Sequence, residues 1–127
     1  MNWKHQYLVL AKGLARQPFE GAERSAVSRA YYGAFNLSRR WLEANLTPID
    51  DRGAHEQVWQ TFLTADRASH ASRETWILVG SLGESLHRLR NEADYDDRIE
   101  FGDDGAARAV ETAERILALL PELQIAD

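Results

Sequence analysis

The chain has no cysteine, and this one absence removes disulfides, thiolate nucleophiles and cysteine zinc sites together. Metal sites would have to be built from histidine and carboxylate. His5, His55 and His70 show no two-histidine spacing on one helix face with a carboxylate beside it, so neither a metal nor a cofactor is expected. A glycine-rich phosphate loop and a Gly-x-Ser-x-Gly elbow are also missing. No run reaches the roughly 18 apolar residues of a membrane span, and the opening MNWKHQYLVLAKGLARQ has no long apolar region followed by a small-residue cleavage site. A cytoplasmic chain without a membrane partner is expected. Basic residues are the minority, 15 against 20 acidic, for a net charge of -5. That balance argues against a general, salt-sensitive grip on nucleic acid. It leaves room for a small basic cleft, because the arginines are crowded: Arg24, Arg29, Arg39 and Arg40 in one segment, Arg88 and Arg90 in another.

Proline is scarce too. Pro18, Pro48 and Pro121 each stand where the apolar periodicity breaks, so they punctuate helices. Between them five segments carry apolar residues at helical spacing and none alternates as a strand would. The first presents Trp3, Tyr7, Leu10 and Leu14. The second, starting between Glu20 and Glu23, has a stripe of Val27, Tyr31, Ala34, Ser38 and Trp41, widened by Ala30, Phe35 and Leu42, and stops at NLTP, where the residue before proline is pushed out of the helical region. The third carries His55, Val58, Trp59, Phe62 and Leu63; TADRASHASRE after it is expected to be a loop. The fourth presents Leu78, Leu82, Leu86, Leu89 and Ala93. The fifth presents Ala106, Val110, Ala113, Leu117 and Leu120, with Asp103 or Asp104 as its N-cap. The prediction is an all-α bundle, one domain over residues 1–127, built around the second, fourth and fifth helices.

The fourth helix is the most informative. At 100° per residue its five apolar positions fall within roughly 80°. Trp76, Gly80, Gly83, His87, Arg90 and Asp94 gather between roughly 120° and 200°. Glycine costs a helix about 1 kcal/mol relative to alanine, so Gly80 and Gly83 on one flank indicate that another helix comes close there. A second helix, from another copy of the chain if the chain pairs, is the simplest candidate, giving a dimer groove at Trp76, Gly80 and Gly83 with His87, Arg90 and Asp94 at its mouth. The plainer alternative is an ordinary surface ion pair, since Arg90 and Asp94, like Arg88 and Glu92, are i, i+4. On the second helix Ser25, Arg29, Tyr32, Asn36 and Glu43 form a polar face, with Tyr31 turned to the core and Tyr32 to a surface. Arg29, Tyr32 and Asn36 are candidate ligand-binding residues, against the alternative of a merely amphipathic helix.

Two stretches taken together, RSAVSRAYYGAFNLSRRWLE and LRNEADYDD, resemble the HEPN domains (higher eukaryotes and prokaryotes nucleotide-binding), in particular the small stand-alone prokaryotic branch with Ser-Arg-x-Tyr-Tyr and Arg…Ala-Asp-Tyr motifs. GAHEQVWQTF between them is similar to that branch's third helix. The likeness runs from about Arg24 to Asp97. It implies a five-helix up-and-down bundle of HEPN type, paired as a homodimer. It also implies an RNA- or nucleotide-directed role in toxin–antitoxin or defence systems, often beside a minimal nucleotidyltransferase encoded by an adjacent gene.

In that family's ribonucleases the motif is arginine, a polar residue, then histidine. Arg90 matches the arginine and Asn91 the polar residue, but Tyr95 stands where the histidine would be. Metal-independent RNA cleavage needs groups that take and return protons, which histidine does well and arginine does not. Asp94, Tyr95 or His87 would have to assist Arg90 as catalytic residues, with His87 substituting on geometry alone. Ribonuclease activity is therefore left open. The alternatives are a binding module that grips RNA or a nucleotide around Arg90, and an inactive dimeric adaptor for a nucleotidyltransferase or other protein.

Overall fold

A computed structural model describes residues 6–15, 20–96 and 103–127. Five α-helices follow one another: α1 (Gln6–Ala15), α2 (Glu20–Asn45), α3 (Ala54–Thr64), α4 (Arg73–Tyr95) and α5 (Asp103–Leu119). Single 3-10 turns stand at His70–Ser72 and Leu120–Glu122. Among the described residues there is no strand, only one bridge between Ala68 and Ile125. No described helix is long and apolar enough to cross a membrane. Trp3, Pro18 and Asp97 lie outside the described residues. Asp103 and Asp104, expected as the N-cap of the fifth helix, both lie within α5, so its cap falls before Asp103, outside the described residues.

The long α2 is the spine and touches each of the other helices. Its expected stripe is the core: Val27, Tyr31, Ala34, Ser38 and Leu42 are fully buried, and Trp41 packs against the cluster from a half-buried position. The Ser38 hydroxyl finds no partner among the described residues. α2 ends as its sequence requires. The N–H groups of Leu46 and Thr47 both reach back to the Leu42 carbonyl, at 2.7 and 3.2 Å, before Pro48 stops any further turn. In α5 the buried set is Ala106, Ala109, Val110, Ala113, Ile116 and Leu120, with Leu117 half-buried.

α4 departs from its expected face. Leu86 and Ala93 are buried, but Leu78, Leu82 and Leu89 are only half-buried, and the centre of the buried arc is Trp76, Val79, Gly80 and Gly83. The glycines are the reason. A Cβ on Gly80 would lie 2.7 Å from the Leu63 side chain and 2.9 Å from its backbone nitrogen, and one on Gly83 would lie 2.2 Å from the Trp59 indole. Both contacts belong to α3 of the same chain. The close approach anticipated for a second copy is thus made by α3, and Gly80 and Gly83 are not available to a dimer groove. Trp76 is not available either. It is wholly buried, packed edge-on against Trp41, with its indole N–H donating to the Ser72 hydroxyl and the Gln124 carbonyl.

The segment expected to be a loop is short and tied down. Ser69 caps the turn by accepting from the Ser72 N–H, and Ser72 also exchanges hydrogen bonds with the Gln124 N–H and carbonyl at 3.0 Å each. The chain end is thereby pinned beneath α4.

At the other end of α4, one guanidinium nitrogen of Arg24 donates to the carbonyls of Glu92, Ala93 and Asp96, at 3.2, 2.9 and 3.0 Å. The Glu92 carbonyl also accepts from the Asp96 N–H at 3.0 Å; the last carbonyls of a helix run short of internal donors, and a cation suits the negative end of its dipole. Arg24→Ala should cost about 1–2 kcal/mol in urea unfolding. Amide exchange should also accelerate selectively at Asp94–Asp96, and a uniform change along the chain would show that the cap is not specific to this turn.

Candidate functional site

Where α2, α3 and α4 meet, four rings lie nearly parallel. Phe35 and His55 are 4.0 Å apart at 14°, His55 and His87 5.1 Å at 17°, and His87 and Tyr31 4.9 Å at 13°. Each helix brings its part for an ordinary reason: Tyr31 and Phe35 come from the core stripe of α2, His55 from the first turn of α3, and His87 from α4 one turn before Arg90.

A hydrogen-bond chain links Trp59, Tyr31 and His55. The indole N–H of Trp59, which can only donate, gives to the Tyr31 hydroxyl at 3.1 Å. The hydroxyl lies 2.7 Å from Nδ1 of His55, and the His55 tautomer decides which of the two donates. Burial pushes the His55 pKa down to about 4, and His87, Arg90 and Arg39 push the same way. The pKa of His87 is also lowered, by burial first and then by Arg90, against an opposing effect of Glu84. Burial holds the Tyr31 phenol well above its ordinary range despite the Trp59 bond and the Arg90 charge, so it keeps its proton.

Arg90 stands beside the stack at the middle of the buried arc of α4, its side chain 14% exposed. Its Nε lies 2.8 Å from Oδ2 of Asp94, an ion-pair contact in which the N–H is not aimed along the line between the atoms. One terminal nitrogen donates to the Tyr32 hydroxyl and the other to Oδ1 of Asn91 at 3.1 Å. The guanidinium also lies over the Tyr32 ring, 4.9 Å from its centre, and over that of Tyr95 at 5.6 Å. A guanidinium carries five N–H donors: two are hydrogen-bonded to Tyr32 and Asn91, the buried Nε–H faces Asp94 without a hydrogen bond, and the other two, on the terminal nitrogens, have no partner among the described residues. Asp94 also accepts a long bond from Ser28, at 3.5 Å.

The structure therefore brings together Arg90, Asn91, Asp94, Tyr95, His87 and Tyr32 of the expected residues. Arg29 and Asn36 are half-buried on α2 and make no hydrogen bond or ion pair to described residues. A Cβ on Gly33, between Tyr32 and Ala34, would lie 3.4 Å from the Tyr7 side chain and 3.5 Å from that of Leu8 in α1, so α1 partly covers the α2 surface expected to be open. Arg88 is exposed and does not pair with Glu92 among the described residues. The residue that sequence reasoning passed over is His55. A search for histidine pairs along one helix cannot find a pair made between two, but a histidine within the apolar stripe of α3 was a usable signal.

Among the described residues no group of three or more histidine and carboxylate side chains could hold a metal ion. A shallow groove between α2 and α5, lined mainly by Leu37, Trp41, Leu117 and Leu120, holds none of these ionisable groups.

Chemically, the cluster offers one cation with spare donors and two half-buried imidazoles, of which His87 makes no hydrogen bond to described residues. Its titration has a stability consequence. For His55 the folded pKa, about 4, lies below the unfolded 6.5, so the unfolded chain binds more protons between those values and stability falls as pH falls through that window. The contribution is full above about pH 6.5, and His87 adds to it with the same sign. Urea midpoints should drop from about pH 7 to 4.5 more steeply for the wild type than for His55→Gln, and parallel pH profiles would contradict the assignment.

Compared with protein-family models, with curated proteins and with solved structures, the chain matches none.

Proposed function

We propose that this protein is a HEPN-type, RNA- or nucleotide-directed component of a prokaryotic toxin–antitoxin or defence system, and that it grips phosphate at Arg90. The observation that carries this reading is the convergence of Arg90 and His87 of α4 with His55 of α3 onto one place. The motif resemblance supplies the class of ligand. Phosphate suits the spare guanidinium donors, and His55, in the tautomer that carries its proton on Nε2, is a neutral donor beside them. A homodimer belongs to the same proposal, with an interface away from the α4 flank that α3 covers.

A second reading, metal-independent RNA cleavage, is favoured by the second imidazole. Tyr95 stands where the family's histidine would be, but two other histidines meet in space. His87, uncharged at neutral pH, would take the 2′-OH proton as the 2′-oxygen bonds to phosphorus. The P–O5′ bond breaks and water protonates the departing oxygen. Arg90 and the His55 N–H would stabilise the charge on the phosphorane oxygens.

Both readings are tested with single-stranded RNA in the presence of a chelator. Binding of a 2′-O-methylated strand, which cannot be cut, tests the first; cleavage of the unmodified strand tests the second. General-base catalysis contributes about 10²–10⁴-fold. His87→Ala should therefore slow any cleavage by about that factor while leaving binding within a few-fold. Equal cleavage by His87→Ala and wild type would refute the role given to His87, and absence of binding by the wild type would refute the proposal.

A further inference from the structure

We infer that the exposed ring of Tyr95 is a nucleobase platform, so that the ligand taken at this site is an unpaired base together with its own phosphate. The inference rests on the phosphate-gripping role proposed for Arg90 and narrows it. Of the large apolar side chains exposed among the described residues, Tyr95 is the most open, at 75%, ahead of Val9, Leu10 and Ile77. A single exposed aromatic residue is unremarkable by itself. This one stands beside the cluster of half-buried imidazoles and guanidinium just described, its ring centre 5.6 Å from the Arg90 guanidinium carbon, and its hydroxyl has no partner among the described residues.

The two tyrosines flanking Arg90 are not equivalent. Tyr32 is half-buried, touches the rings of Tyr7, Tyr31 and His55, and takes a hydrogen bond from Arg90. It is used up in holding the guanidinium. Tyr95 holds nothing else and turns most of its surface to solvent. Because the guanidinium lies over both rings, an anion reaches its spare N–H groups along the edge rather than across the faces. A phosphate arriving there brings its attached nucleoside within reach of the Tyr95 ring. Stacking on a tyrosine accepts any base, because every base has a π-face. It requires that the base be free of its partner, since the bases of an RNA helix are stacked within it and its deep major groove is closed to side chains. The site therefore fits single strands and free nucleotides, and not duplexes.

The test titrates the intact protein with a labelled, 2′-O-methylated single-stranded oligonucleotide, the same strand in a duplex, a mononucleotide, and ribose 5-phosphate, which has the phosphate without the base. Wild type is compared with Tyr95→Ala, Tyr95→Phe and Arg90→Ala. The inference predicts that Tyr95→Ala weakens binding of the single strand by roughly 5- to 150-fold, that Tyr95→Phe retains it, and that ribose 5-phosphate binds wild type and Tyr95→Ala alike. A mononucleotide that matches the oligonucleotide would identify free nucleotides as the source of this chemistry; a much weaker one would identify RNA. If Tyr95→Ala binds the single strand as wild type does while Arg90→Ala has lost it, phosphate is gripped without base stacking and the inference is overturned, though the phosphate reading stands. Equal affinity for the duplex would also overturn it. If the wild type binds none of these probes, the phosphate reading falls and takes the inference with it.

Discussion

Gly83→Leu is expected to fail to reach the native fold, and Gly83→Ala to lose about 2–3 kcal/mol of unfolding free energy, the upper part of the range for forcing extra atoms into a packed core. On helix propensity alone, alanine in place of glycine would gain up to about 1 kcal/mol, so a net loss isolates the packing effect. The added Cβ would stand 2.2–2.4 Å from three atoms of the Trp59 indole. The indole cannot retreat. Trp59 is 1% exposed, it packs against Tyr31, Phe35 and Phe62, and its N–H is bonded to the Tyr31 hydroxyl. Pushing it aside disturbs the hydrogen-bonded chain that ends at His55, so a folded Gly83→Ala protein should also show a changed His55 pKa. Urea unfolding and sedimentation decide between two accounts of this glycine. Lost stability at unchanged oligomeric state fits the contact with α3. Unchanged stability with a dissociated oligomer would mean that the helix Gly83 meets belongs to another copy.

Arg90→Ala is expected to weaken binding of an uncleavable single strand by roughly 10- to 100-fold, the equivalent of about 1.4–2.8 kcal/mol for losing charge-assisted contacts to one phosphate. The same change removes the counter-ion of Asp94 and the donor to the Tyr32 hydroxyl, so a stability loss of about 1–3 kcal/mol should accompany it. Arg90→Lys separates charge from shape. An ammonium restores the charge but cannot reach Asp94, Asn91 and Tyr32 at once while lying flat over two rings. It should therefore recover only a minor part of the binding. Fluorescence anisotropy measures all three proteins, and wild-type affinity in Arg90→Ala would remove Arg90 from the site.

Periodicity carried most of the architecture. Five helices, their breaks at Pro48 and Pro121 and the α2 stripe through Tyr31 and Ser38 could be read directly, because burial against one core imposes a 3.6-residue period. The buried face of α4 was misplaced toward the leucines, because a wheel weights large apolar side chains and gives glycine none. Yet Gly80 and Gly83, by being empty, admit Leu63 and Trp59 and so define the core side. Their meaning was legible as close approach, but not the identity of the approaching helix, which depends on how α3 folds back. The site was half legible. Arg90, Asp94 and His87 share one helix and one flank, so spacing groups them. His55, Tyr31 and Trp59 join them only through the tertiary fold, and no local pattern states that an indole on α3 will orient a phenol on α2 toward a histidine.

The proposed phosphate grip joins Arg90 and His55 beside His87, and the imidazole resonances report on it directly. Following the ring signals of His55 and His87 by NMR as pH is varied, with and without the uncleavable single strand, measures both pKa values in each state. The free protein should show both below the ordinary 6.5 of histidine, His55 near 4. With the strand bound, both should rise together, because a phosphate charge beside the rings favours the imidazolium. A strand that binds without moving either pKa would place its phosphate elsewhere on the protein and contradict the account.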